Sequence, residues 1–84
     1  MNLVILTPEK EVFSGAVTSV KVPGTSGQFE ILKGHAAIVS SLTEGEVRII
    51  DGSGERKGYT IEKGFIEVIN DEVSLLVRGL TELT

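Results

Sequence analysis

The sequence predicts an all-β protein built as an antiparallel sandwich or flattened barrel. Three observations carry that reading. Apolar and polar residues alternate with a period of two through most of the apolar segments. Turn-forming residues interrupt those segments at short intervals. No segment has the length of a helix: Glu9-Lys10-Glu11 is too short, and Leu80 to Thr84 suffices for about one turn.

The elements follow in order. Leu3-Val4-Ile5-Leu6 is a β-branched-rich opening strand that can be buried on both faces. Thr7-Pro8 ends it, because proline has no amide to give to a ladder. Ser14-Gly15 is the next punctuation. In Thr18 to Val22, Val20 and Val22 share one face while Ser19 and Lys21 take the other. Pro23-Gly24 then turns the chain into Gln28-Phe29-Glu30-Ile31, with Phe29 and Ile31 inward. Lys33-Gly34 is a turn before Ile38-Val39, and Thr43-Glu44-Gly45 precedes Glu46-Val47-Arg48-Ile49. Asp51-Gly52-Ser53-Gly54 reads as a hairpin connection, since Asp and Gly tolerate positive φ. Tyr59 to Glu62 is the next strand. Gly64 marks a bulge or a close approach, Phe65 to Ile69 follows, and Asn70-Asp71-Glu72 turns into Val73-Ser74-Leu75-Leu76-Val77.

The chain has 84 residues, enough for one small domain over 1–84. A domain of this size buries only about 60–65% of its unfolded surface, so a docking partner adds useful stability. The formal net charge is −4, and the eight Lys and Arg residues are scattered from Lys10 to Arg78. Phosphate backbones require a concentrated basic patch, so nucleic acid is excluded as a partner. With no cysteine there is no disulfide framework, thiolate nucleophile or thiolate metal site. The apolar runs fall far below the roughly 18–20 residues of a membrane-spanning helix, and the amino terminus lacks signal-peptide features. No direct membrane insertion is expected.

His35 is the only histidine, and a general base needs a partner that orients it. Ser40 and Ser41 are near in sequence, but no nucleophile elbow is present, and one His without Cys makes no usual transition-metal site. It reads as a structural or interface residue after a glycine turn. Gly24-Thr25-Ser26-Gly27 lacks the glycine spacing and following helix of a phosphate loop and reads as a shaped turn, available for contact. The carboxylate pairs Glu9/Glu11, Glu44/Glu46 and Glu62/Glu67 sit at solvated positions. Lys63, in Glu62-Lys63-Gly64, raises the alternative of a lipoyl- or biotinyl-type carrier lysine at a hairpin tip, although the usual neighbours are missing. Phe13, Phe29, Tyr59 and Phe65 are spread over different strands as core or sheet-face residues, not as a stacking platform.

Several segments, taken in order, resemble the epsilon subunit family of the bacterial F-type ATP synthase. They are Leu3 to Glu9, Val12-Phe13-Ser14-Gly15, Val20 to Gly24, Gly27 to Leu32, Gly34-His35-Ala36-Ala37-Ile38, Gly45 to Ile49, Gly64 to Val68 and Val73 to Val77. Lys33 and Ala37 stand where the family usually has prolines flanking Gly-His-Ala, which relaxes two backbone restraints beside His35.

The resemblance implies a flattened antiparallel β-sandwich of two five-stranded sheets and a noncatalytic rotor role. The domain would bind the gamma subunit and the polar loops of the c-ring, coupling ion-driven rotation to ATP synthesis. It would lie peripherally on the cytoplasmic face of the bacterial inner membrane. By position, Thr25, Ser26, Gly27 and Gln28 are the expected c-ring contact, and His35, Ala36 and Ala37 the expected gamma or rotor contact. Gln28 lies where some relatives have an acid, so hydrogen bonds rather than charge would dominate that contact. No catalytic residue, cofactor or metal is expected. Many relatives carry a carboxy-terminal helical hairpin; these 84 residues hold none, and hairpin inhibition and ATP binding are not carried over.

Overall fold

The computed structural model describes residues 1–83. The strands are β1 (Asn2–Leu6), β2 (Glu11–Gly24), β3 (Gly27–Ile31), β4 (Ile38–Leu42), β5 (Gly45–Asp51), β6 (Arg56–Ile61), β7 (Lys63–Ile69), β8 (Glu72–Arg78) and β9 (Thr81–Leu83). No helix occurs among the described residues, and so none long and apolar enough to cross a membrane.

The 14-residue β2 organises the molecule. Its first half pairs antiparallel with β1 (Leu3↔Gly15, Ile5↔Phe13). Its middle pairs with β5 (Val20↔Ile49), and its end pairs with β3 (Val22↔Phe29) and meets β4 at Gly24↔Leu42. One layer is thus β1-β8-β7-β4; the other is β3, β2, β5, β6 and β9. Because β2 serves both layers, nine strands supply the two roughly five-stranded sheets. The ladder passes from one layer to the other without a break, which makes the sandwich a flattened barrel. One pairing departs from the antiparallel expectation: β1 runs parallel to β8 (Leu3↔Val73, Ile5↔Leu75).

A strand that changes layers must re-aim its side chains. Register shifts between Val17 and Ser19, and the inward phase passes from Val17 to Val20 and Val22. The extra residue of such a bulge bends and twists the strand at the corner. Ser19, buried there, donates its Oγ hydrogen to Glu30 Oε2 at 2.6 Å. Between the layers lie Leu3, Ile5, Val20, Val22, Ile31, Val47, Ile49, Ile61, Ile66, Val68, Val73 and Leu75, each 2% exposed or less. Each such aliphatic burial contributes about 1.5–3 kcal/mol.

Some local expectations are corrected. In β1 only Leu3 and Ile5 are fully buried, whereas Val4 and Leu6 are half-buried on the other face. Ser14-Gly15 is inside β2, opposite Val4 and Leu3, because β1 supplies the pairing that overrides a turn preference. Pro23-Gly24 ends β2; the turn itself is Thr25-Ser26. Thr81–Leu83 is a strand on the edge of β6 (Gly58↔Leu83), not a helical turn, and Thr84 lies outside the described residues. Gly64 marks a close approach and not a bulge. It pairs regularly with Leu42 and Val77, and a Cβ there would lie 2.5 Å from the Leu76 carbonyl oxygen.

The hairpin expectations hold. Asp51 Oδ1 accepts from the Ser53 Oγ at 2.7 Å and from the Ser53 and Glu55 amides at 2.9 Å each. These bonds hold its carboxyl below the ordinary carboxylate value, the Ser53 hydroxyl contributing most. Asn70 (φ 49°) and Asp71 (φ 61°) form the two-residue turn between β7 and β8.

Candidate binding surfaces

Thr25, Ser26, Gly27 and Gln28 form one exposed hairpin tip between β2 and β3. The tip is closed by the Gly24↔Gly27 pair. A side chain at Gly24 would collide with the Phe29 ring, its Cβ lying 2.7 Å from the ring edge, so the ring covers the base of the turn. Gly27 has φ 125°, a conformation open to glycine. The tip is also fastened to the neighbouring strand end: the Thr25 amide donates to the Ser41 carbonyl at 3.3 Å, and the Thr43 amide to the Pro23 carbonyl at 2.9 Å. Beside it Phe29, Ile38 and Ser40 complete a shallow depression of about 370 Å³. Its polar side chains, those of Thr25, Ser26, Gln28 and Ser40, carry no formal charge.

His35, Ala36 and Ala37 lie in the loop beyond the opposite end of β3. Five residues of strand, about 17 Å, separate the two groups. The structure therefore brings each predicted group together internally and holds the two groups apart. His35 is half-buried, and its amide donates to the Leu32 carbonyl at 3.1 Å. Its Nδ1 lies 2.7 Å from the Ala36 carbonyl, so the ring is held by its own loop, and among the described residues it makes no hydrogen bond to a hydroxyl or carboxylate. Among the described residues no cluster of three His, Cys, Asp or Glu is placed to hold a metal.

Lys63 is not at a hairpin tip. β6 and β7 belong to different layers, and Lys63 starts β7 in register with Arg78 on β8. A lysine held in a sheet beside a second cation is not presented as a swinging arm, so the carrier reading loses its geometric basis.

One surface was missed. With Ile66, Val68, Val73, Leu75 and Val77 inward, the opposite phase of β7, β8 and β4 faces solvent. It exposes Phe65 (55%), Leu76 (48%), Ile69 (51%) and Val39 (71%). Phe65 pairs with Leu76 on one side and Ser41 on the other, and Val39 pairs with Glu67. An open groove of about 660 Å³ runs from Phe65 and Leu76 to Leu6, Pro8, Lys63 and Arg78. The other layer differs: its outward Glu46 and Arg48 are ion-paired at 2.8 Å. Two consecutive apolar residues in each of Phe65-Ile66 and Leu75-Leu76 were the available signal, since period two lets only one of each pair face the core.

The strands and their pairing define a small all-β sandwich domain. The chain belongs to the family of the ATP synthase delta/epsilon chain β-sandwich domain, whose profile matches residues 1–82. It is 42% identical to the ATP synthase epsilon chain of Chlorobium limicola over 80 residues, covering 95% of this chain and 91% of that one. To the epsilon chain of Campylobacter jejuni strain 81-176 it is 38% identical over 79 residues, and it spans 61% of that relative's length. Epsilon chains are noncatalytic subunits of the ATP synthase. Two solved assemblies share the fold. One is the Euglena gracilis mitochondrial ATP synthase OSCP/F1/c-ring (TM-score 0.85, 19% identity, 95% of this chain, 51% of that one). The other is the central stalk and c-ring of the Tetrahymena thermophila enzyme (TM-score 0.80, 20% identity, 96% and 65%).

Proposed function

We propose that this chain is a central-stalk subunit that binds gamma and the c-ring and so couples ion-driven rotation to ATP synthesis. Its place would be peripheral, on the cytoplasmic face of the bacterial inner membrane. The observation that carries this reading is the spacing of the two loops on one stiff body, in a chain of the epsilon family. A coupling part needs two contact surfaces that cannot move relative to each other, and a cross-paired β3 between them supplies that. The Thr25–Gln28 tip offers uncharged donors and acceptors suited to polar loops of a ring. The His35–Ala37 loop, fastened at Gly34, is the gamma-side contact.

Co-expression with gamma of the same organism, followed by size-exclusion chromatography and native mass, tests the reading. A one-to-one complex is expected; two folded proteins that stay apart at micromolar concentration would overturn it. The ring contact is tested by Thr25→Ala/Ser26→Ala/Gln28→Ala in the assembled synthase. Stability is expected to stay within about 0.5 kcal/mol, because the side chains are exposed and the anchoring bond is from the backbone. ATP synthesis driven by the ion gradient should fall while gamma remains bound. Loss of folding instead would assign the tip a structural role.

A further inference from the structure

Register gives the outward face of β1, β8, β7 and β4 a pattern. Leu6, Leu76, Phe65 and Ser41 stand side by side across the four strands, an apolar row with a serine at one end. On β7 the outward residues on either side of Phe65 are Lys63 and Glu67, each about 7 Å from it along the strand. Opposite them on β8 are Arg78 and Ser74. Among the described residues the ion pairs are Arg48–Glu46 and Lys57–Glu55, so Lys63, Glu67 and Arg78 have no ionic partner there. The apolar row thus lies between two cations on one side and a carboxylate on the other.

We propose that this face pairs with the same face of a second copy of the chain, about a two-fold axis lying along the row of Leu6, Leu76, Phe65 and Ser41. It concerns the chain on its own and does not rest on the central-stalk reading. An isologous contact requires a patch that is complementary to itself. An axis along the strands would set Lys63 and Arg78 against the same two cations of the other copy, which like-charge repulsion opposes. An axis across the strands instead puts Phe65 on Phe65 and Leu76 on Leu76. Each Lys63 then faces Glu67 of the other copy, twice over. Face-to-face sheets lie about 10 Å apart, a gap that a lysine and a glutamate side chain span together. The apolar row excludes water between the two ion pairs and so strengthens them. Four strands about 4.8 Å apart and about 20 Å long make a face of about 400 Å² in plan, against about 800 Å² per partner in a standard stable interface. The pairing is therefore reversible and concentration-dependent. A lipid surface suits the face less well, because Glu67, Glu72 and the net charge of −4 repel anionic headgroups.

The test is sedimentation equilibrium of the full chain from about 5 to about 500 μM. The mass should rise from one chain toward two and stop there, because a two-fold contact closes. Phe65→Ser/Leu76→Ser should stay monomeric throughout; both side chains are about half exposed, so the fold is kept. Lys63→Glu and Glu67→Lys, each alone, set like charges across the axis and should weaken the dimer about tenfold or more. Lys63→Glu/Glu67→Lys exchanges the charges and should restore it, as should mixing the two single variants. Glu46→Lys/Arg48→Glu, on the other layer, should dimerise as the parent does. Thermal melts confirm that each variant is folded.

A parent chain that stays monomeric to about 500 μM would overturn the inference. So would a dimer that survives Phe65→Ser/Leu76→Ser, since it would use another surface. A dimer weakened by both single reversals but not restored by the exchange would refute the axis and the inference with it. A monomeric parent that binds phosphatidylglycerol vesicles, or gamma, and loses that binding in Phe65→Ser/Leu76→Ser would assign the face to that occupant instead.

Discussion

The Gly34 amide donates to Asp71 Oδ1 at 2.7 Å, joining two turns 37 residues apart. Asp71 occupies positive φ, and its own carbonyl accepts the Asn2 amide at 2.9 Å. One turn residue therefore holds the His35 loop, the β7–β8 hairpin and the start of β1 together.

Asp71→Ala is expected to destabilise the chain by about 1–3 kcal/mol, through the lost acceptor and an alanine forced to positive φ. Asp71→Asn keeps an acceptor and tolerates that φ, and should lose less than about 1 kcal/mol. Urea denaturation gives the ranking. Hydrogen exchange at Gly34 should quicken in the alanine variant before the core strands respond. Equal stability of all three proteins would show that the tie is energetically idle.

Gly64 and Gly54 separate two reasons for glycine. A Cβ at Gly64 meets the Leu76 carbonyl oxygen at 2.5 Å and Val77 at 2.8 Å, so Gly64→Ala has to pry β7 from β8, at about 3 kcal/mol. Gly54 has φ 88° and open space around it, so Gly54→Ala meets only backbone strain, about 1 kcal/mol. Thermal or urea unfolding of the two variants should show the larger loss at Gly64, and the reverse order would refute the packing argument.

Asp51 supplies a pH dependence. Its carboxyl is held below its ordinary 3.8 by the Ser53 hydroxyl first and then the Glu55 amide. A group whose folded value is depressed gives stability that is present above the unfolded value and is lost as pH falls through the folded one. Asp51→Asn keeps acceptor geometry and removes the titration. Acid unfolding curves of the two proteins should differ below about pH 4, the parent falling more steeply, and should run parallel between about pH 5 and pH 7. A constant difference across the whole range would mean that Asp51 acts without titrating.

Half-buried strands were the easiest part to read. Val47 and Ile49, or Val73, Leu75 and Val77, alternate with polar neighbours because one face meets the core. Ser14-Gly15 was misread because its strand state comes from β1 and not from local preference. Thr81–Leu83 is a strand only because β6 has an edge free for it, and no local pattern records that. The tip at Thr25–Gln28 and the loop at His35–Ala37 were visible as exposed turns, whereas their separation depended on β3 lying straight between them. The Lys63–Arg78 pair is a matter of register. Once Asn70-Asp71 is a two-residue turn closed by Ile69↔Glu72, counting back along both strands places Lys63 opposite Arg78.

The parallel pairing of β1 with β8 has a consequence for how the chain folds. Asn2 meets Glu72 and Leu6 meets Leu76, so β1, which has β2 as its near partner, finds its second partner only in the last quarter of these 84 residues. The hairpins at Thr25-Ser26, Asp51–Gly54 and Asn70-Asp71 can form as they emerge, whereas closure of the barrel waits for residues beyond 72. Sequence-distant closure slows folding, and until it happens Leu3 and Ile5 lack the β8 side of their burial. Nascent chains stalled before β8 are therefore the ones most in need of a chaperone.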